Sequence, residues 1–296
     1  MSHTPEATSA QSIDLALTQG VGRRTQTTSI NPDNPSWGIV AALTAWIASV
    51  AILVVVPNVC VLPYLAYRYG GTSASREALL NDKTLVFLFV LGWLPAHLLT
   101  LALIWAIATR LGKLSLKEVF GWSWSPNLSL WRSVSLALLL FLVTFLLVAR
   151  FGGPRTDLDR ILESSRAAAV TLAALAVLTA PLVEEMIYRG LLYSAFRRAL
   201  GQWAAIVIVT SMFAGVHWVQ YWPNVGAISS ITLLSFVLTL TRARTGKLLP
   251  CFVVHLVFNG IQSVIIILEP YLTTLFEMWR HEPVNTAIFN LRLLFF

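Results

Sequence analysis

Two adjacent glutamates, Glu184 and Glu185, stand in an otherwise apolar run at 167–192 that also carries Arg189. Of the fourteen Asp and Glu in the chain, these are the two that fall inside a predicted membrane span. A carboxylate deep in hydrocarbon costs several kcal/mol, so its presence there marks a site. Glu185 and Arg189 are spaced i,i+4 and can pair on one helical face. Glu184 is rotated by about 100° on a 3.6-residue helix, which leaves it the freer carboxylate for proton transfer. Two later apolar runs carry polar insertions of their own, Phe213-Ala-Gly-Val-His217 and His255-Leu-Val-Phe-Asn259. His255 and Asn259 share a face, and Gly215 and Gly260 beside these polar insertions are expected to let helices approach closely. The chemistry that suits this set is hydrolysis. A buried Glu takes a proton from water, and His and Asn side chains stabilise the oxyanion of an attacked carbonyl. Zinc is the rival use, since Glu184, His217 and His255 would make a legitimate shell. The His-Glu-x-x-His arrangement is absent, however, and the histidines come from separate helices.

Such residues need elements that hold them at one depth. The chain of 296 residues is 56% hydrophobic and 12% charged, with a mean hydropathy of +0.71, a composition suited to bilayer as solvent. Apolar runs near the ~20 residues needed to cross hydrocarbon recur at 37–61, 84–108, 130–149, 167–192, 203–219, 225–241 and 248–268. The expected fold is an all-α, polytopic transmembrane helix bundle of seven or eight spans. Residues 1–36 read as a disordered polar tail. Residues 37–166 hold the N-terminal spans and loops, 167–268 the spans that carry the site, and 269–296 an interfacial C-terminal segment. Pro57, Pro95 and Pro181 should kink their spans rather than end them. Trp37, Trp122, Trp124, Trp131, Trp203 and Trp222 sit near run ends, as interfacial anchors do.

The net charge of +7 does not point to nucleic acid, because the basic residues are scattered through short loops instead of forming a stripe. Loop Lys and Arg weakly favour a cytoplasmic N-terminus for a multi-pass protein of the cell membrane. The cluster Arg242, Arg244 and Lys247 reads as a loop facing headgroups. Cys60 and Cys251 lie in apolar stretches as packing residues. His97 reads as a core or interfacial histidine, and Ser211 and Ser229 lack the context of a serine protease.

At these residues the sequence resembles the CPBP family of intramembrane proteases, which includes the type II CAAX prenyl proteases and bacteriocin-processing or abortive-infection homologues. Its three motifs occur in order as Glu184-Glu185-x-x-x-Arg189, Phe213-x-x-x-His217 and His255-x-x-x-Asn259. The resemblance covers roughly 167–268. It implies an intramembrane glutamic endopeptidase, once described as a metalloenzyme, acting on a membrane protein or lipidated peptide. Glu184 would activate water with help from His217, and His255 and Asn259 would form the oxyanion site. Glu185, Arg189 and Phe213 would support them. No cofactor is implied; a metal centre, if used, would fall on Glu184, His217 and His255. Two other readings compete, a proton-coupled transporter and a non-catalytic immunity or scaffold protein. The chain shows no internal repeat of the transporter kind, and its motifs are complete.

Overall fold

In hydrocarbon every backbone N–H and C=O must find a partner within the protein, so long apolar runs have the helix as their solution. A computed structural model describes residues 30–70, 74–154 and 156–280, with the side chains of 157 and 273–280 excepted. Seven helices within it are long and apolar enough to cross a membrane: α1 (Ile39–Tyr69), α2 (Lys83–Ala108), α3 (Leu130–Phe151), α4 (Arg166–Leu200), α5 (Gln202–Tyr221), α6 (Val225–Thr245) and α7 (Leu249–Leu272). Among the described residues there is no strand beyond one isolated bridge, Ser125 to Leu128. The expected all-α polytopic bundle is the observed one. The helix of α7 runs on as far as Arg280, past the boundary expected at 268, and so takes Glu269 into the last span. Residues 281–296 of the expected interfacial segment lie outside the described residues.

The outer faces carry Ile47, Val54, Leu139, Leu146 and Val219, all exposed, the last to 85%. Two apolar clusters fill the inside. Val86 and Val90 of α2 meet Leu172 and Leu175 of α4, Ala227 of α6 and Ile266 of α7. Ala137 and Leu140 of α3 meet Leu234 and Leu238 of α6 and Val254 and Phe258 of α7. Close helix approach occurs at Gly226, where an added Cβ would lie 3.0 Å from the backbone of Val148 and Phe151, while at Gly190 it would lie 2.7 Å from the ring of Phe120, a turn residue. At Gly215 and Gly260 nothing lies within 4 Å of that position, so the close approach expected there does not occur.

Two spans are built in pieces. Helix α2 breaks at Gly92, between Lys83–Leu91 and Trp93–Ala108. Helix α4 breaks at Thr179, between Arg166–Leu178 and Ala180–Glu184. Pro95 and Pro181 each fall in the first turn after the break, where a missing N–H costs nothing because it would have no intrahelical partner. Helix α4 then widens into a π-helix over Glu185–Leu192, with Tyr193 N–H reaching back to Tyr188 O, before closing as Tyr193–Leu200. π-Turns of this kind gather at functional sites.

The polar tail expected over 1–36 ends earlier than its composition suggests. Residues 1–29 lie outside the described residues, but Asp33 accepts from Arg242 Nη1 at 2.8 Å and pairs with Arg197, and Arg242 Nη2 donates to Pro32 O at 3.2 Å. Arg198 donates to Pro35 O. Trp37 is buried, donates through Nε1 to Leu191 O at 3.1 Å and packs on Phe120, so it is no lipid anchor. Trp131, Trp203 and Trp222 are exposed as anchors should be. Arg242 is 1% exposed in the last turn of α6, which corrects its reading as a headgroup-facing residue. Composition missed this clamp because a short polar segment orders when the bundle offers it buried guanidinium groups. Burial alone would raise the Asp33 carboxyl, but Arg242 and Arg197 outweigh it and hold the group below its usual value. A depressed carboxyl stabilises the fold above its unfolded pKa of about 4 and loses that contribution as pH falls through the lower folded value. Asp33→Asn is therefore expected to cost about 3 kcal/mol at pH 7, by leaving Arg242 buried and uncompensated. Thermal melts of the two detergent-solubilised proteins should begin to converge as pH falls below about 4.

Candidate active site

Glu184 closes the short α-helical piece and Glu185 opens the π-helix, and the two side chains have different surroundings. Glu185 is 0% exposed; its Oε1 accepts from Arg189 Nη1 at 3.0 Å and from His255 Nδ1 at 2.8 Å. Arg189, equally buried, spends its other donors on α6: Nη2 on Ser235 O and Oγ at 3.0 and 2.9 Å, and Nε on Thr239 Oγ1 at 3.3 Å. The i,i+4 pairing expected of Glu185 and Arg189 is thus present, extended by α6 and α7. Glu184 keeps 24% of its side chain exposed, and its Oε2 lies 3.7 Å from His255 Nε2, beyond hydrogen-bond distance.

Because Glu185 Oε1 is an acceptor towards Arg189, His255 Nδ1 is the donor in the bond to it, and Nε2 is the atom left to face Glu184. His217 is oriented in the same sense. Its Nδ1 lies 2.8 Å from Phe213 O, a carbonyl that can only accept, so the ring holds its proton there and presents Nε2. The Phe213 ring stacks on His217 at 4.6 Å between centroids and lies 4.8 Å from the Arg189 guanidinium. That contact gives the Phe of Phe-x-x-x-His its physical role, since one flat ring couples the arginine of α4 to the histidine of α5. Tyr188 meets the same ring edge-on at 4.9 Å and accepts from Trp46 Nε1 at 3.1 Å. Asn259 Nδ2 donates to Ala176 O at 2.9 Å, which spends one of its two N–H groups.

These side chains meet at a single cavity of about 400 Å³, within the size range of small-ligand sites. Glu184, Phe213, His217, His255 and Asn259 line it; Glu185 and Arg189 do not and stand behind His255. Thr144 and Ser230 contribute hydroxyls, both bonded to helix carbonyls. His97 also lines the cavity, with Nδ1 2.6 Å from Thr179 Oγ1 at the break in α4. The expected core or interfacial histidine is indeed buried, but it belongs to no motif that would mark it as facing the cavity. The signal that could have found it is its place two residues after Pro95 in a broken span. Gln220 and Gln262 were missed as well, though they follow His217 and Asn259 by three residues each.

Among the described residues no three His, Cys, Asp or Glu side chains form a group able to hold a metal ion. The trio Glu184, His217 and His255 is not gathered into such a group, and no step below runs through a metal.

The fold and the cavity define a class, an integral membrane helix bundle with a polar Glu/His/Asn chamber among apolar spans. Residues 166–261 match the family model described as Rce1-like, type II CAAX prenyl endopeptidase. That segment contains every motif residue, and over it the chain is similar to the CAAX protease family. Comparison with curated proteins and with solved structures found no match.

Proposed function

We propose that the protein is an intramembrane endopeptidase that hydrolyses a peptide bond of a membrane-associated or lipidated protein with water activated by Glu184. The observation that supports this reading best is the contrast between two neighbouring carboxylates, one fully buried behind His255 with its Oε1 held by Arg189 and His255 and the other open to the cavity. Glu184 takes a proton from water as the oxygen bonds to the scissile carbonyl carbon, and His217 Nε2 holds that water as an acceptor. Negative charge gathers on the carbonyl oxygen. The second N–H of Asn259 and a proton on His255 Nε2 donate to it, with Glu185 balancing the imidazolium. Glu184 returns its proton to the leaving nitrogen, the C–N bond breaks, and a carboxylic acid and an amine are released.

We place the N-terminus in the cytoplasm and the protein in the cell membrane. Arg197, Arg198, Arg242, Arg244 and Lys247 then fall on the cytoplasmic side, as the positive-inside rule favours.

The experiment compares protein termini in membrane and secreted fractions of cells carrying the wild type or Glu184→Gln at matched expression. Termini that depend on the wild type support hydrolysis and name the substrate, and identical sets overturn the reading. Because the proposed step uses Glu184 as the base and no metal, cleavage by the purified protein is expected to survive exhaustive chelation with less than about a twofold loss; the many-fold loss that follows removal of a catalytic metal would contradict it.

A further inference from the structure

Helices α5 and α7 are joined through one crossing, α6, so they run in the same direction. On each, three residues past a motif residue, stands a glutamine: Gln220 after His217 and Gln262 after Asn259. Both side chains line the cavity. Three residues of α-helix advance by about 4.5 Å, so the two amides form a second polar layer on the same side of the His217 and Asn259 level. Neither makes a hydrogen bond within the described protein, whereas the neighbouring Ser263 hydroxyl is bonded to Ala173 O. Both amides are partly exposed to the cavity and left by the protein to pair with whatever enters it, and the partner that matches an amide best is another amide.

We infer that Gln220 and Gln262 bind the substrate backbone, pairing with a peptide group one or two residues from the scissile bond. The inference rests on the proteolytic reading above. An extended peptide advances about 3.3 Å per residue, so the layer meets the chain at that distance from the reacting carbonyl. A primary amide donates and accepts in one plane, as a peptide group does. It therefore holds an extended backbone whatever the side chains are, and strips a helical substrate segment of its own hydrogen bonds at the point of cleavage.

The test uses the full-length protein in detergent and a ten-residue peptide spanning the site mapped by the terminus comparison. Gln220→Met and Gln262→Met keep side-chain length and remove the amide. Each is expected to raise KM about tenfold with kcat within about twofold of wild type, the signature of binding shared by ground and transition states. A second measurement needs no variant to fold. Peptides with one amide N–H replaced by an ester oxygen, one or two residues from the scissile bond, should raise the wild-type KM to a similar degree. The same esters should cost the matching Gln variant little more. Unchanged KM in both variants, or an ester penalty equal in wild type and variants, overturns the layer while leaving hydrolysis intact. Absence of any wild-type-dependent terminus removes the proteolytic reading, and this inference falls with it.

Discussion

Glu184→Gln is expected to abolish cleavage, with kcat falling by about 10³-fold or more, while the thermal melt of the purified protein stays within a degree or two of the wild type's. The two halves of this expectation come from the same geometry. The carboxylate faces the cavity, and its nearest charged neighbour, His255 Nε2, stands at 3.7 Å, so the fold loses no short hydrogen bond when charge is removed. The reaction loses the group that accepts the proton of water. A protein that melts early would show that Glu184 is part of the packing. One that cleaves normally would place the base elsewhere, with His217 the next to test, and one that loses a proton flux instead would favour the transporter.

The neighbouring carboxylate is expected to behave in the opposite way. Arg189→Met leaves Glu185 charged, 0% exposed and without its guanidinium, which should cost about 3–5 kcal/mol and yield little folded protein. Adding Glu185→Gln removes the stranded charge, and the double variant is expected to recover most of that stability, since a neutral pair of similar volume replaces a buried ion pair at small net cost. Activity should not recover. The bond to His255 Nδ1, 2.8 Å long, no longer ends on a carboxylate, so the imidazolium that donates through Nε2 is not balanced. A loss of about 10²–10⁴-fold is expected, the range seen when the acid behind a catalytic histidine is neutralised. Melts and cleavage rates of the three variants separate the roles. A double variant as active as wild type would reduce Glu185 to packing, and an Arg189→Met protein that melts normally would show the pair does not hold α4 to α6 and α7.

Much of the candidate site could be read from the residue order. A carboxylate pair in a run too apolar to tolerate it, and two His-bearing runs after it, name Glu184, Glu185, Arg189, His217, His255 and Asn259 without coordinates, because bilayer energetics make each intramembrane polar group improbable unless it is used. The seven spans follow from hydropathy for the same reason, as does the i,i+4 pairing of Glu185 with Arg189. What the order of residues could not decide is whatever depends on partners distant in the chain. Asp33 reads as part of a solvated tail until Arg242 and Arg197 are brought beside it, and Trp37 reads as a lipid anchor until Leu191 O and Phe120 enclose it. Helix approach at Gly226 instead of Gly215 and Gly260 depends on which faces meet. The difference between Glu184 and Glu185 was legible only as a rotation of about 100° on an ideal helix. Packing settles it by placing Arg189 and His255 against Glu185, while Glu184 is left facing the cavity. Local composition sets what each segment can cost in a membrane, and only the packed bundle sets which charge is neutralised by a neighbour and which stays open.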